Sequence, residues 1–312
     1  MWKYVLKRLI MMIFVVLGVA IMIFAIMYFT PGDPAAIILG SSATPEQIEA
    51  LRENMGLNDS FPEQLGSFLY DTFLRFDFGT SYITKTSIAD EFITRMPRTL
   101  LIAVICIVLS TIVGIPLGVI AAVKQDKWQD TLSIGASLLG VSIPGFWLCL
   151  MLVLLFSVKL GWLPAYGIGG FEYYILPCVG NSVSIIAINA RQTRSAMLDV
   201  IRSDYVTTAL AKGVGQRSVI YKHALPNALI PIITVIGGNF ASALGGTVII
   251  ESIFSIPGIG MYMTNAINSR DYPVVRGSVV ILAVAFSLIM LIVDLIYAAV
   301  DPRIKAQYAG KR

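Results

Sequence analysis

The sequence predicts an all-α integral membrane protein of six transmembrane helices, and three observations carry that prediction. Of the 312 residues, 56% are hydrophobic and only 13% charged, against roughly a quarter charged in a soluble domain. Apolar runs of about 20 residues recur, each long enough to cross a hydrocarbon core of about 30 Å at about 1.5 Å per residue. Basic residues sit in short groups beside these runs rather than on one broad face, which argues against nucleic acid as a partner and makes the lipid bilayer the chain's solvent.

The spans fall at about 9–29, 99–123, 133–158, 174–190, 228–254 and 278–300. The first opens after Lys7 and Arg8 and runs 21 uncharged residues from Leu9 to Phe29. A secretory signal has an apolar core of about 7 to 15 residues and a small-residue cleavage site, so this segment is expected to remain as a membrane helix. The fourth span is short and carries Pro177, Asn181, Ser182, Ser184 and Asn189, so it is expected to face protein or a wet path rather than lipid.

Basic residues are retained in short cytoplasmic loops. With the N-terminus inside, the four cytoplasmic stretches hold 15 Lys and Arg in 66 positions and the external ones hold 8; segment 31–98 has 5 basic against 10 acidic residues. Both termini are therefore expected in the cytoplasm. The chain divides into an N-terminal end with the first span (1–30), an extracytoplasmic helical segment (31–98), a five-helix core (99–300) containing a cytoplasmic loop at 191–227, and a cytoplasmic tail (301–312).

Within 31–98, Thr44 before Pro45 with Gln47 three residues on is a helix start, and Gly56 is its stop. Further on, Leu65, Phe68, Leu69 and Phe73 share one face of an amphipathic helix expected to pack on neighbouring spans or lie at the lipid interface. Tyr28, Trp162, Tyr173 and Tyr174 stand near the outer borders as interfacial anchors. In the fifth span, Gly237, Ala241, Gly245 and Gly238, Ser242, Gly246 form two rows of small residues. Such rows serve either tight packing inside the subunit or a surface beside a pore or partner. Gly114 and Gly118 around Pro116 in the second span pose the same choice, with a kink added.

The 37-residue stretch 191–227 is the most patterned part of the chain. Ser203 is a helix cap, Asp204 suits the positive helix end, Lys212 the negative end, and Gly213 the left-handed stop. A second helical run from about Gln216 is expected to end at Leu225 before Pro226, giving two short helices with a sharp bend between them. A short helix bearing Ala209 and Ala211 has little bulk and suits a groove on another protein, although a basic loop also serves simply to fix orientation.

These residues resemble the coupling loop of ABC importer permeases, whose general pattern is Glu-Ala-Ala, three residues, Gly, then nine residues to Ile-x-Leu-Pro. Ala209, Gly213, Leu225 and Pro226 match, while Thr207, Thr208 and His223 replace the Glu, the first Ala and the Ile. The dipeptide, oligopeptide and nickel permease version fits far better: Asp204-Tyr205-Val206, Thr208-Ala209, Ala211-Lys212-Gly213, His223-Ala224-Leu225 and Asn227-Ala228-Leu229. The resemblance extends along the chain through Pro31-Gly32-Asp33-Pro34, Gly114-Ile115-Pro116-Leu117-Gly118, Ser142-Ile143-Pro144-Gly145-Phe146-Trp147 and Leu160-Gly161-Trp162-Leu163-Pro164. It continues in Phe254-Ser255-Ile256-Pro257-Gly258, Arg270-Asp271-Tyr272-Pro273-Val274 and Asp301-Pro302-Arg303.

The resemblance implies a type I ABC importer permease fold in a bacterial cytoplasmic membrane. It also implies a second homologous permease, two cytoplasmic ABC ATPase subunits and an extracytoplasmic solute-binding protein. It assigns ATPase coupling to Asp204, Tyr205, Ala209, Ala211, Lys212, Gly213, His223, Leu225 and Pro226. Asn239, Ser242 and Glu251 are pore or gate candidates, with a structural partnership the other reading of Glu251; Asp294 is read as structural. No cofactor is expected on this chain, and ATP-Mg belongs to the partner subunits, because no GxxxxGK[ST] phosphate loop is present. The single histidine, His223, and the separated Cys106, Cys149 and Cys178 make no catalytic triad or metal site. Short peptides are the leading cargo, with nickel, a metal chelate or glutathione as alternatives. A secondary transporter, the competing class, would be expected to show broken-helix repeats and paired intramembrane carboxylates.

Overall fold

The computed structural model describes residues 2–40 and 42–300; the Asp301-Pro302-Arg303 motif and the rest of the tail lie outside the described residues. The described chain is helical throughout, with no strand beyond a lone bridge between Thr80 and Ser87. In order the helices are α1 (Trp2–Phe29), α2 (Pro34–Leu39), α3 (Pro45–Asn54), α4 (Phe61–Leu74), α5 (Ile88–Val123), α6 (Trp128–Ser142) and α7 (Gly145–Leu152), which widens into a π-helical stretch at Val153–Lys159. There follow α8 (Glu172–Ile201), α9 (Asp204–Ala211), α10 (Gln216–Ser218) running into a π-helical stretch at Val219–Ala224, α11 (Leu225–Ile253), α12 (Ile259–Asn268) and α13 (Tyr272–Val300).

By length and composition five of the described helices can cross a membrane, or six if the broken pair Trp128–Ser142 and Gly145–Lys159, bent by 94°, counts as one span. The continuous span expected at 133–158 is therefore corrected. Ile143 and Pro144 are both extended, because proline has no N–H to continue the ladder and drives its predecessor out of the helical region. The fourth span is also longer than expected. Helix α8 continues through residues 191–201, read above as loop, and it is the most buried of the candidate spans.

The chain forms two compact units. One comprises residues 98–256 and the end of α13 from Ile289; the other comprises residues 4–97 and 257–288. In the first, α8 is the centre, packed by α6, α7 and α11. One apolar cluster there joins Ile102, Cys106, Cys149, Cys178, Leu244 and Phe254, and a second joins Val119, Met197, Ile220, Ala224, Ala228 and Ile232. Close approach of α5 to α8 depends on glycine. A Cβ on Gly118 would collide with the Ala190 carbonyl and Thr193, and one on Gly114 would lie 2.8 Å from the Asn189 Cβ. These glycines thus serve packing inside the subunit.

In the second unit the expected signals of segment 31–98 are realised. Thr44 and Gln47 form a reciprocal capping box. Gly56 ends α3 at φ 66°, with its N–H on Glu53 and that of Leu57 on Arg52, the paired bonds of a left-handed helix stop. Helix α4 turns Phe68, Leu69 and Phe73 onto a cluster built on Val16, Ala20 and Val280. The Phe68 ring stacks on Phe24 of α1 at 5.4 Å.

Candidate functional site

The loop from Ser203 to Asn227 is held by backbone geometry first. Ser203 takes the extended N-cap conformation, but its hydroxyl turns back to the Val200 carbonyl rather than capping α9. Asp204 stands in the first turn, where its charge suits the helix N-terminus. At the other end Gly213 adopts φ 83°. Its N–H donates to Leu210 and that of Val214 to Ala209, the two bonds of a Schellman stop. A Cβ on Gly213 would meet none of the described residues within 4 Å, so glycine is required by the backbone turn and not by crowding among them.

The expected helix end at Leu225 is corrected. Leu225 is itself helical and its N–H donates to Ile220, five residues back. This wider turn moves the carbonyl four residues before Pro226 away from the pyrrolidine ring, which removes the clash that normally breaks a helix. The run from Gln216 therefore continues without a break into α11.

Side chains then tie α9 to that run. Asn227 Nδ2 donates to the His223 carbonyl at 2.8 Å and to the Tyr205 hydroxyl at 3.0 Å, and the Tyr205 hydroxyl lies 3.4 Å from the same carbonyl. Val206, Val219, Ile220 and Ala224 are buried beneath. Tyr205, Leu210, Ala211, Lys212, Gly213 and Tyr221 stay exposed, Ala209 is half-buried, and His223 and Pro226 lie on the surface with Leu225 partly covered. The loop thus presents an uncovered short helix on a buried apolar foot. The key bracket, Asn227, was absent from the expected site residues; its signal was a side-chain amide at the start of an apolar span.

The remaining candidates do not converge on one point. Asn239 on α11 donates to Asn189 on α8 at 2.8 Å, and Asn189 to Ser110 on α5 at 3.3 Å, a polar chain across three helices. Glu251 is fully buried and accepts from the Thr99 hydroxyl at 2.6 Å. Ser242 is exposed, on a face shared with Gly238 and Gly245. Gly237 and Ala241, one residue back in each row, are buried, Gly237 against Val293. A feature not expected from the sequence is a bidentate ion pair: Arg194 Nε and Nη2 donate to the two Asp130 carboxylate oxygens at 2.6 and 2.7 Å. Asp130 also accepts from the Asp126 N–H at 3.0 Å.

Against known proteins, the family model of the binding-protein-dependent transport system inner membrane component matches residues 114–306, and the model of that system's N-terminal membrane region matches residues 1–103. The chain belongs to this family. The permease is 41% identical to the dipeptide transport system permease protein DppB of Alkalihalophilus pseudofirmus, over 98% of this chain and all of the relative. It is 37% identical to the glutathione transport system permease protein GsiC of Escherichia coli K12, over 98% of this chain and 99% of the relative. A chain of the MetNI methionine ABC transporter, solved in inward-facing conformations, shares the fold with TM-score 0.56 and 19% identity, covering 67% of this chain and 96% of that one. The protein is accordingly a multi-pass membrane permease subunit of an ABC importer.

Proposed function

We propose that this permease forms half of the translocation pathway for short peptides, with a second homologous permease as the other half. Two cytoplasmic ATPase subunits grip the loop Asp204–Pro226, and an extracytoplasmic binding protein delivers the solute. Both termini lie in the cytoplasm of a bacterial cell. The chain holds no cofactor; ATP-Mg acts on the ATPase subunits, whose closure pushes α9 and opens the pathway outward, and hydrolysis resets it inward. The observation that carries this reading is the union of an exposed helix stopped at Gly213 with a bracket, Tyr205 to His223 to Asn227, onto a helical run entering α11 unbroken. Load applied to α9 reaches a long apolar helix through hydrogen bonds and a buried foot, not through a slack linker.

Ser242, which nothing covers, is assigned to the pathway or to the partner permease. Asn239 and Glu251 are assigned to holding the helices that bound it. Short peptides are favoured because relatives covering the whole chain are named for dipeptide and glutathione, itself a small peptide.

The test is Gly213→Asp beside Gly213→Asn. Asparagine and aspartate both tolerate the left-handed conformation, so the pair separates added charge from backbone strain. Gly213→Asp is expected to lose ATPase association and uptake, and Gly213→Asn to retain most of both. If Gly213→Asp leaves both unchanged, the coupling assignment fails. Uptake of labelled dipeptide, glutathione and a nickel chelate by the complete importer in proteoliposomes decides the cargo.

A further inference from the structure

Gly32, Asp33 and Pro34 of one motif that takes no part in the coupling loop, and Tyr272 of another, line one cavity of about 460 Å³ in the second unit. Gly32 sits at φ 148°, and a Cβ there would lie 2.5 Å from the Tyr272 hydroxyl. Glycine therefore clears the space into which that hydroxyl projects. Tyr272 is only 5% exposed, and its hydroxyl is buried with no hydrogen-bond partner among the described residues. A phenol so placed pays for desolvation and gains nothing a phenylalanine would not supply.

One helical turn along α13, Arg276 lines the same cavity. Its guanidinium lies 5.5 Å from the Phe24 ring centre and 5.4 Å from that of Phe68, and its Nε is buried with no hydrogen-bond partner among the described residues. No carboxylate forms an ion pair with it among the described residues. Four of the acids nearby are otherwise engaged. Asp271 accepts from the Ser81 hydroxyl and the Tyr82 N–H. Asp33 caps Ala35 and pairs with Arg52 at 3.5 Å. In the adjoining cavity that Arg276 also lines, Asp71 pairs with Arg75 and Asp77 accepts from Gly79, while Asp59 stands near Gly56.

We propose that this cavity is an oxyanion site, in which Arg276 and the Tyr272 hydroxyl bind the phosphate or carboxylate of a small molecule. The volume lies in the range of small-ligand sites. A planar guanidinium packed against two aromatic rings is suited to a charged oxygen pair. Phe24 and Met27, from the end of α1, add an apolar wall. Two sources share this chemistry: a phospholipid headgroup at the membrane border, or a free phosphate or carboxylate ion.

Hydrogen exchange of the purified importer complex in nanodiscs distinguishes them. One arm uses phosphatidylcholine alone and compares inorganic phosphate or acetate with chloride at equal ionic strength. The other adds phosphatidylglycerol with no added oxyanion. Protection of 30–34 and 270–276 is expected to rise in one arm, which names the source. Tyr272→Phe is expected to weaken the response roughly tenfold to a hundredfold, the worth of one hydrogen bond to a charged group, and Arg276→Gln to abolish it. Should Arg276→Gln fail to fold, Tyr272→Phe decides alone, because its hydroxyl makes no hydrogen bond among the described residues. No added protection in either arm, or an undiminished response in Tyr272→Phe, overturns the proposal.

Discussion

Replacing Asp130 with alanine removes one half of the pair that joins the start of α6 to α8. The Asp130 side chain is 4% exposed and that of Arg194 23%. Breaking a buried pair from one side costs about 3–5 kcal/mol, because the remaining charge keeps its desolvation penalty and loses its partner. Arg194 retains some hydration, which reduces that figure, while the Asp126 N–H loses its acceptor, which adds to it; about 2–4 kcal/mol is expected. The assay is denaturant unfolding of the solubilised importer in a double-mutant cycle with Arg194→Met. Removing both partners should cost much less than the two single changes added together, with a coupling of about 2 kcal/mol. Additive single changes, or a cost for Asp130→Ala under about 0.5 kcal/mol, would refute the reasoning.

Gly118→Ala should destabilise by about 1–3 kcal/mol, since α5 must move off the Ala190 carbonyl; an unchanged thermal midpoint would mean that α5 and α8 are not so close. Thr99→Val leaves the buried Glu251 one donor short and should cost about 1–2 kcal/mol in the same measurement, while Thr99→Ser should restore most of it. Glu63 accepts from the Ser60 hydroxyl and N–H, which holds its carboxyl below the usual range. A depressed folded-state pKa gives stability that is present above the unfolded value and fades as pH falls through the folded one. Amide protection in the first turn of α4, corrected for intrinsic exchange, should therefore decline under acid, and Ser60→Ala should weaken that dependence.

Local signals were legible wherever neighbours in sequence decide the outcome. Thr44 with Gln47, Gly56 and Gly213 each fix a helix end within five residues, and the structure places all three as read. The apolar face of α4 was equally plain from its spacing. Proline was harder, because its effect depends on whether the surroundings supply an alternative backbone path. Pro144 broke a span read as straight, whereas Pro226 was absorbed by a wider turn and broke nothing. The Asp130–Arg194 pair was invisible for another reason. Its members are 64 residues apart, and Arg194 read equally well as a topology signal on a loop that proved to be the end of α8. Ser203 shows a further limit: the residue type and backbone were right for a cap, yet its hydroxyl found a nearer acceptor in Val200.

The π-helical stretch at Val219–Ala224 also sets the rotational phase of everything that follows it. Each residue of an α-helix advances about 100° around the axis, and the wide turn spends one residue more on the same rotation, so the same residues wound as regular α-helix through Val219–Ala224 would deliver α11 turned by about that angle. Ile236 would then stand where Gly237 now meets Val293, and Phe240 where Ala241 is now buried. Even a Cβ at the Gly237 position would collide with Val293, so steric bulk would resist the exchange. The azimuth of the membrane helix is chosen at its loop end, by a single extra residue.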